Sequence, residues 1–172
     1  MTSDTQPNEF GISYTTFEEE ALFNPAFIAL LYARVVQGWQ QEGHGEEGAP
    51  AHLSSLAVTM ALHSPTRLLA PKTIRTSFVD WVQQNPDINA FFPRAALGLT
   101  PLVKDGLIFA LVNDVCRWTS PASIMLGQRL SKTIRGDTPD FLSCQRGAVF
   151  FGRWLSRSGR PSSIFALLGV RP

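Results

Sequence analysis

The apolar positions of the chain recur mainly at helical spacing, and the first such run follows the pair Asn24-Pro25. Asparagine caps the free amides at a helix start, and proline at the first helical position loses no hydrogen bond that the helix needs. The run ends at Gly43, and its apolar side chains are three to four residues apart: Ile28, Leu31, Val35 and Trp39. This pattern predicts a long first helix.

The middle of the chain predicts several shorter helices. A buried, apolar helical segment over residues 53–62 ends at Pro65, and a second helix from Ser77 to Gln84 ends at Asn85-Pro86. A third helix is expected from Ile88 to Leu97, with a bend at Pro93. Thr100-Pro101 is expected to cap a separate helix whose apolar side chains are mostly interior: Leu102, Leu107, Phe109, Leu111 and Val112.

The next stretch, CRWTSPASIMLG (residues 116–127), predicts two short strands around Ser120-Pro121. Three helices followed by a β-hairpin is the order of elements in a winged helix. We therefore expect a mainly α fold with a small β-hairpin, compact and similar to a winged helix in its order.

The C-terminal part predicts one long helix and one short one. Thr138-Pro139 opens the long helix, and a single apolar seam runs along it: Phe141, Cys144, Ala148, Phe151 and Leu155. Gly159 ends this helix, Pro161 starts a short one, and Gly169 ends that. We expect residues 162–168 to pack on the core, because Ile164, Phe165, Leu167 and Leu168 are too apolar to leave in water.

Composition indicates one domain and a partner surface. Charged residues make up 17 % of the 172 residues, against roughly 25 % in an average soluble protein. We expect a polar N-terminal arm (residues 1–15) and one helical domain (residues 16–172). The opening residues lack a basic, apolar leader, and the apolar runs are shorter than the ~20 residues of a membrane span. The prediction is a cytoplasmic protein without a membrane contact.

The two ends of the chain carry opposite charge. Residues 1–50 contain eight acidic residues and one basic residue, Arg34, whereas residues 127–172 contain eight basic and two acidic residues. Either the two ends attract each other, or the basic end forms a face for nucleic acid or for an acidic partner. Both interpretations stay open from the sequence alone.

The sequence offers no arrangement that would support catalysis, metal binding or cofactor binding. His44, His52 and His63 share no metal-ligand spacing with each other or with the two cysteines, Cys116 and Cys144. The stretch GQRLSKT (residues 127–133) lacks the second glycine of a phosphate loop. The cysteines are expected to be buried, reduced thiols, and His63 a structural residue. No catalytic, metal or cofactor residue is predicted.

A DNA-binding regulator is the alternative function, supported by the basic C-terminal third. In a winged helix, the helix before the wing enters the major groove. Here that helix would present Lys104, Asp105, Asn113 and Asp114 to a polyanion. Because phosphate contacts supply most of the affinity, this helix is poorly suited to read DNA.

Several stretches resemble a known family: NPAFIALL, LHSPTR, TSFVDWVQQNPDI, RAALGLTPLVKDGLIFAL and, above all, FFGRWLSRSGRPSSIFALLGVRP. From Asn24 to Pro172 the chain is similar to the middle component of bacterial three-component ABC ATPase systems, the group that includes Lamassu-type anti-phage defence. The departures are a Gly/Glu-rich loop over residues 44–50 and a basic connector over residues 128–138. Neither affects the resemblance, but the effector's identity does not follow from it.

The resemblance implies a non-catalytic scaffold or regulatory subunit between an ABC ATPase of the SMC or Rad50 type and an effector, often a nuclease. The resemblance also allows the assembled complex, rather than this subunit alone, to contact DNA. We expect the partner interface to use residues that a core does not need: Arg146, Arg153, Trp154, Arg157 and Arg171. The positions expected to be structural are Asn24, Pro25, His63, Arg67, Gly152, Gly159 and Gly169.

Overall fold

The computed structural model describes residues 24–44, 47–119, 122–127, 131 and 133–171. Within these residues the chain forms seven helices: α1 (Pro25–Gln41), α2 (Ala51–Leu62), α3 (Ser64–Leu68), α4 (Phe78–Gln84), α5 (Asp87–Val112), α6 (Pro139–Ser156) and α7 (Pro161–Leu167). Three short strands join them: β1 (Ala49–Pro50), β2 (Cys116–Thr119) and β3 (Ser123–Leu126). The predicted mainly helical fold with a small β element is confirmed. The arm predicted for residues 1–15 lies outside the described residues.

Local capping starts the helices where the sequence predicted. The Asn24 side chain accepts a hydrogen bond from the Ala26 amide at 2.9 Å, and Pro25 is the first residue of α1. The Thr138 hydroxyl accepts from the Phe141 amide at 3.2 Å at the start of α6. Each side chain satisfies an amide that the first helical turn leaves without a partner. These helix starts are confirmed.

Helix α1 lies at the centre of the fold, between α5 and α6. Its fully buried side chains form the middle of the core: Ile28, Leu31, Tyr32 and Val36. Two glycines let α1 and α6 approach closely. A Cβ atom on Gly38 would lie 2.1 Å from the Val149 carbonyl oxygen, and one on Gly152 would lie 2.1 Å from the Val35 carbonyl oxygen. Gly152, which the sequence predicts to be structural, therefore lies where the α1–α6 contact leaves no room for a side chain.

The prediction of two helices separated near Thr100 is wrong, because residues 87–112 form one continuous helix. Pro93 and Pro101 both lie inside it. Proline removes one backbone donor, which in each case leaves a carbonyl four residues earlier without its usual partner. Pro101 lies on the exposed side of α5, where water can supply that hydrogen bond. Thr100 does not cap a helix, and its hydroxyl instead donates to the Ala96 carbonyl at 2.8 Å.

The predicted hairpin is present, and a third strand extends it. Strands β2 and β3 pair antiparallel, with Cys116 opposite Leu126 and Thr119 opposite Ser123. Strand β1 comes from the end of the predicted Gly/Glu-rich loop and pairs with the other edge of β3, Ala49 opposite Ile124. The resemblance to a winged helix is not confirmed.

The C-terminal residues form part of the core. Gly159 and Gly169 have φ angles of +96° and +67°, so each ends a helix in the left-handed region that glycine favours. Between them α7 buries Ile164 and Phe165, and Leu168 follows as its capping residue with no exposed surface. The predicted short terminal helix and its packing on the core are confirmed.

Candidate partner interface

Trp154 lies in the core, with 1 % of its surface exposed. Its indole nitrogen donates to the Thr76 carbonyl at 2.8 Å, and its ring meets the Trp81 ring edge-on at a centroid distance of 5.0 Å. The Phe78 ring also packs against it, at a centroid distance of 5.0 Å. The sequence placed Trp154 in the partner interface because a Trp/Arg set often anchors interfaces. In the fold its ring is enclosed by the chain's own aromatic residues, so it is not accessible to a partner.

Arg153 and Arg157 are bound within the chain by Glu42. The Arg153 guanidinium donates to one carboxylate oxygen of Glu42 at 2.7 Å, and Arg157 donates to the other at 2.9 Å. The Glu42 side chain is 7 % exposed, and hydrogen bonds from Arg153 and then Arg157 lower its pKa. The contact joins the C-terminal ends of α1 and α6. The opposite charges of the two ends are thus partly used in an internal contact.

Arg67, which the sequence predicts to be structural, connects the end of α2 to the start of α6. It donates to the Leu62 carbonyl at 3.3 Å and to the Ser143 hydroxyl at 3.0 Å, and it forms an ion pair with Asp140. A cation at a helix C-terminus is favourable because the last carbonyls carry partial negative charge. The neighbouring His63 places its Nδ1 2.8 Å from the Thr66 hydroxyl. The LHSPTR stretch therefore serves packing between helices.

Arg34 is the most buried cation of the described chain, and its partners are neutral. Its guanidinium donates to Gln145 at 3.2 Å and to the carbonyls of Ser131 and Thr133 at 3.0 and 2.7 Å. Burial lowers its pKa. Gln145 in turn donates to the Arg135 carbonyl at 2.7 Å. Both side chains thus attach the connector before α6 to the centre of the fold, and the geometry gives them a structural role.

The titratable groups of the described residues do not converge on a reaction site. Burial raises the pKa of Cys116 to about 12 and that of Cys144 to about 11, so neither thiol is a ready nucleophile at neutral pH. Burial also lowers the pKa of His52 and, together with Arg67, that of His63. No group of three or more metal-binding side chains occurs within residues 24–44, 47–119, 122–127, 131 and 133–171.

The outward side of α5 carries an exposed apolar stripe that the sequence reasoning missed. Leu97, Ile108 and Val112 are 76 %, 59 % and 78 % exposed, and Phe109 and Pro101 are also exposed. We call these five residues the outer stripe. Phe109 and Val112 had been predicted to be mostly interior, and that prediction is wrong.

Small residues explain why α5 turns this side to solvent. The side of α5 that faces the core includes Ala96, Gly106 and Ala110, and a Cβ on Gly106 would lie 2.2 Å from the Ile28 side chain. Close approach to α1 at Gly106 therefore requires a residue without a side chain, and α5 turns the large residues of the outer stripe away from this contact. The spacing of these small residues could have identified the inward side of α5 from the sequence. Because α5 is apolar on every side, however, its hydrophobic pattern does not distinguish that side from the others.

A groove lies beside the outer stripe, between α2, α5 and the C-terminal residues. Its floor is apolar and consists of Leu56, Val103, Phe165 and Val170, and its edge carries Lys104 and Arg171. None of the described residues that line it carries a carboxylate. Of the predicted interface residues, Arg171 is therefore placed at a concave surface. Arg146 is exposed on α6 and lies outside this groove.

Helix α5 is also long and apolar enough to cross a membrane when only length and composition are considered. It is the one helix of the described residues that meets this criterion. A core helix can meet it as well, and α5 buries Ile88, Phe92 and Val103 in this fold. The feature alone is weak evidence for a bilayer.

Comparison with protein families matches residues 12–172 to the ABC-three component (ABC-3C) system Middle Component 3. Comparison with curated proteins and with solved structures gives no match. The family match covers nearly the whole chain, including the LHSPTR and FFGRWLSRSGRP stretches that carry the resemblance in the sequence. The chain belongs to the middle components of ABC-three component systems.

Proposed function

We propose that this middle component is a non-catalytic scaffold that bridges an SMC- or Rad50-type ABC ATPase and an effector in a cytoplasmic anti-phage complex. The observation that carries the proposal is the outer stripe of α5, with Leu97, Ile108 and Val112 largely exposed. A group of large, exposed apolar side chains on one helix is a candidate interaction site. In a subunit that binds two others, a partner would bury these apolar side chains in the assembled complex.

The chemistry of the described residues supports a binding role over an enzymatic one. The buried thiols have raised pKa values, and His52 and His63 contact an aromatic ring and a hydroxyl, respectively. Family membership is in line with this, because a middle component is named for its place between others. The effector, which is a nuclease in many such systems, would carry the reaction.

The alternative of a DNA-binding regulator has less support. Two of the eight basic residues in the C-terminal third, Arg153 and Arg157, are paired with Glu42, whose carboxylate offsets one of their two positive charges. The helix before the hairpin carries an apolar outer stripe, which is not suited to a phosphate backbone. Any DNA contact is then expected through the assembled complex.

Reconstitution with the ATPase and the effector of the same system tests the proposal. With the ATPase tagged, the effector should be retained only when the middle component is present. The middle component alone should show neither nucleotide hydrolysis nor DNA cleavage. If the ATPase and the effector associate equally well without it, or if the isolated chain turns over substrate, the proposal is wrong.

A further inference from the structure

The groove beside α5 combines an apolar floor with two cations at its edge, Lys104 and Arg171. No ion pair of the described residues involves Lys104 or Arg171. Both side chains are exposed, and both line the groove. This differs from Arg153 and Arg157, which Glu42 binds. The edge of the groove is therefore positively charged and free to receive negative charge.

The hydroxyl groups in the groove are already used within the chain. The Thr100 hydroxyl donates to the Ala96 carbonyl at 2.8 Å, and the Thr59 hydroxyl donates to the Ser55 carbonyl at 2.9 Å. Ser55 itself donates to the Ala51 carbonyl at 2.9 Å. These side chains make poor partners for a polar ligand such as a sugar. What remains for recognition is apolar surface, the positive charge at the edge and the exposed imidazole of His52.

We propose that this groove binds an acidic, amphipathic segment of a partner subunit, with carboxylates meeting Lys104 and Arg171 and apolar side chains on Leu56, Val103 and Phe165. The inference rests on the proposed scaffold role and assigns a binding site to it. Charged side chains at the edge set specificity and the association rate, while apolar groups at the centre supply affinity. The outer stripe continues from Leu97 along the same helix.

Site-specific photo-crosslinking in the assembled complex identifies the occupant. A photoreactive phenylalanine analogue replaces Leu97, which lines the groove and is largely exposed. The same analogue at Leu68, which is exposed but lies outside the groove, is the matched control. We expect the Leu97 position to crosslink to a carboxylate-rich segment of the ATPase or the effector, and the Leu68 position not to crosslink to that segment.

Charge reversal tests the edge independently. Lys104→Glu with Arg171→Glu should weaken binding of the crosslinked partner by about tenfold or more, which is about 1.4 kcal/mol. Added salt should weaken binding to the unchanged chain but not binding to this variant, because salt screens an attraction in the first case and a repulsion in the second. Lys72→Glu with Arg160→Glu changes the net charge equally at exposed positions outside the groove and should leave binding unchanged.

Two results overturn the groove assignment while the scaffold role stands. One is a complex that assembles normally with both charges reversed. The other is a Leu97 crosslink only to residues 1–23 of the same chain, whose Glu18, Glu19 and Glu20 are also acidic. If no complex assembles with the unchanged chain, the scaffold role fails and the groove assignment fails with it.

Discussion

The Arg153 guanidinium lies 2.7 Å from the Glu42 carboxylate, although 111 residues separate the two along the chain. Glu42 caps the C-terminus of α1, where a negative charge is unfavourable next to the helix carbonyls. Arg153, with Arg157, compensates that charge and lies at the favourable end of α6. The contact therefore fixes the relative position of two central helices.

Removing the charge of Glu42 should change the stability of the folded protein and the way in which that stability depends on pH. The pKa of Glu42 lies below its ordinary value of 4.5 in the folded chain, so the unfolded chain takes up this proton first as pH falls. The stabilisation is complete above pH 4.5 and is lost as pH falls through the lower folded pKa. Glu42→Gln should cost about 1 kcal/mol at neutral pH and flatten the acid part of the curve.

Thermal unfolding between pH 3 and pH 7 measures this effect. Glu47→Gln is the control, because Glu47 is exposed and, among the described residues, its ion pair is the 3.9 Å contact with His44. An unchanged acid slope in Glu42→Gln would mean that the ion pair contributes nothing to folding.

The close approach of α1 and α6 predicts a strong effect for Gly152→Ala. The added Cβ would lie 2.1 Å from the Val35 carbonyl oxygen, so the two helix backbones must separate. We expect destabilisation of about 1–3 kcal/mol from overpacking. Gly98→Ala in α5 is the control, because nothing lies within 4 Å of the added atom. It should be neutral or stabilising by about 0.5–1 kcal/mol.

Chemical denaturation of both variants distinguishes packing from helix propensity. If Gly152→Ala gains stability as Gly98→Ala does, the backbones of α1 and α6 are not in the contact described.

Trp154→Ala should unfold the protein, and a selective loss of partner binding is not expected. Truncation of a buried tryptophan costs about 3–5 kcal/mol, and this one also leaves the Thr76 carbonyl without its 2.8 Å donor. Trp118→Ala is the matched control, because Trp118 is 54 % exposed on β2. Near-ultraviolet circular dichroism and thermal melting should show lost tertiary structure in the first variant and little change in the second. A Trp154→Ala protein that melts normally would contradict the core assignment.

Deletion of residues 161–172 should leave a molten or insoluble chain. The deletion removes the buried side chains of Ile164, Phe165 and Leu168, each worth about 1.5–3 kcal/mol against a typical stability of roughly 5–15 kcal/mol. Deletion of residues 171–172 alone removes none of these and should preserve the melting transition. If the longer deletion melts cooperatively near the normal temperature, α7 is not part of the core.

Features set by local chemistry could be predicted from the sequence. Asn24, Ser77 and Thr138 cap helices through their own side chains, and Gly159 ends α6 through its own φ angle. These interactions depend on neighbours within four residues. The helical fold, the hairpin and the terminal helix followed from them and from apolar spacing.

Features set by tertiary contacts could not be predicted in the same way. A proline usually ends a helix. Pro101, however, lies on the exposed side of α5, where the loss of one backbone hydrogen bond matters little. Which side of α5 faces inward depends on how closely Gly106 meets Ile28. The charge asymmetry left attraction between the two ends as one of two open interpretations, and it did not identify Glu42 as the acid that pairs with both arginines.

The proposed scaffold role depends on the outer stripe of α5. The direct test of this role is complex assembly with a variant that combines Ile108→Ser and Val112→Ser. Both side chains are exposed, so the isolated variant should melt as the unchanged chain does. The control combines Leu68→Ser with Val79→Ser, two exposed apolar side chains outside α5. Size-exclusion chromatography with the ATPase and the effector should show binding reduced by about tenfold or more in the α5 variant and normal assembly in the control. Normal assembly of a folded α5 variant would contradict the claim that this helix is the partner interface.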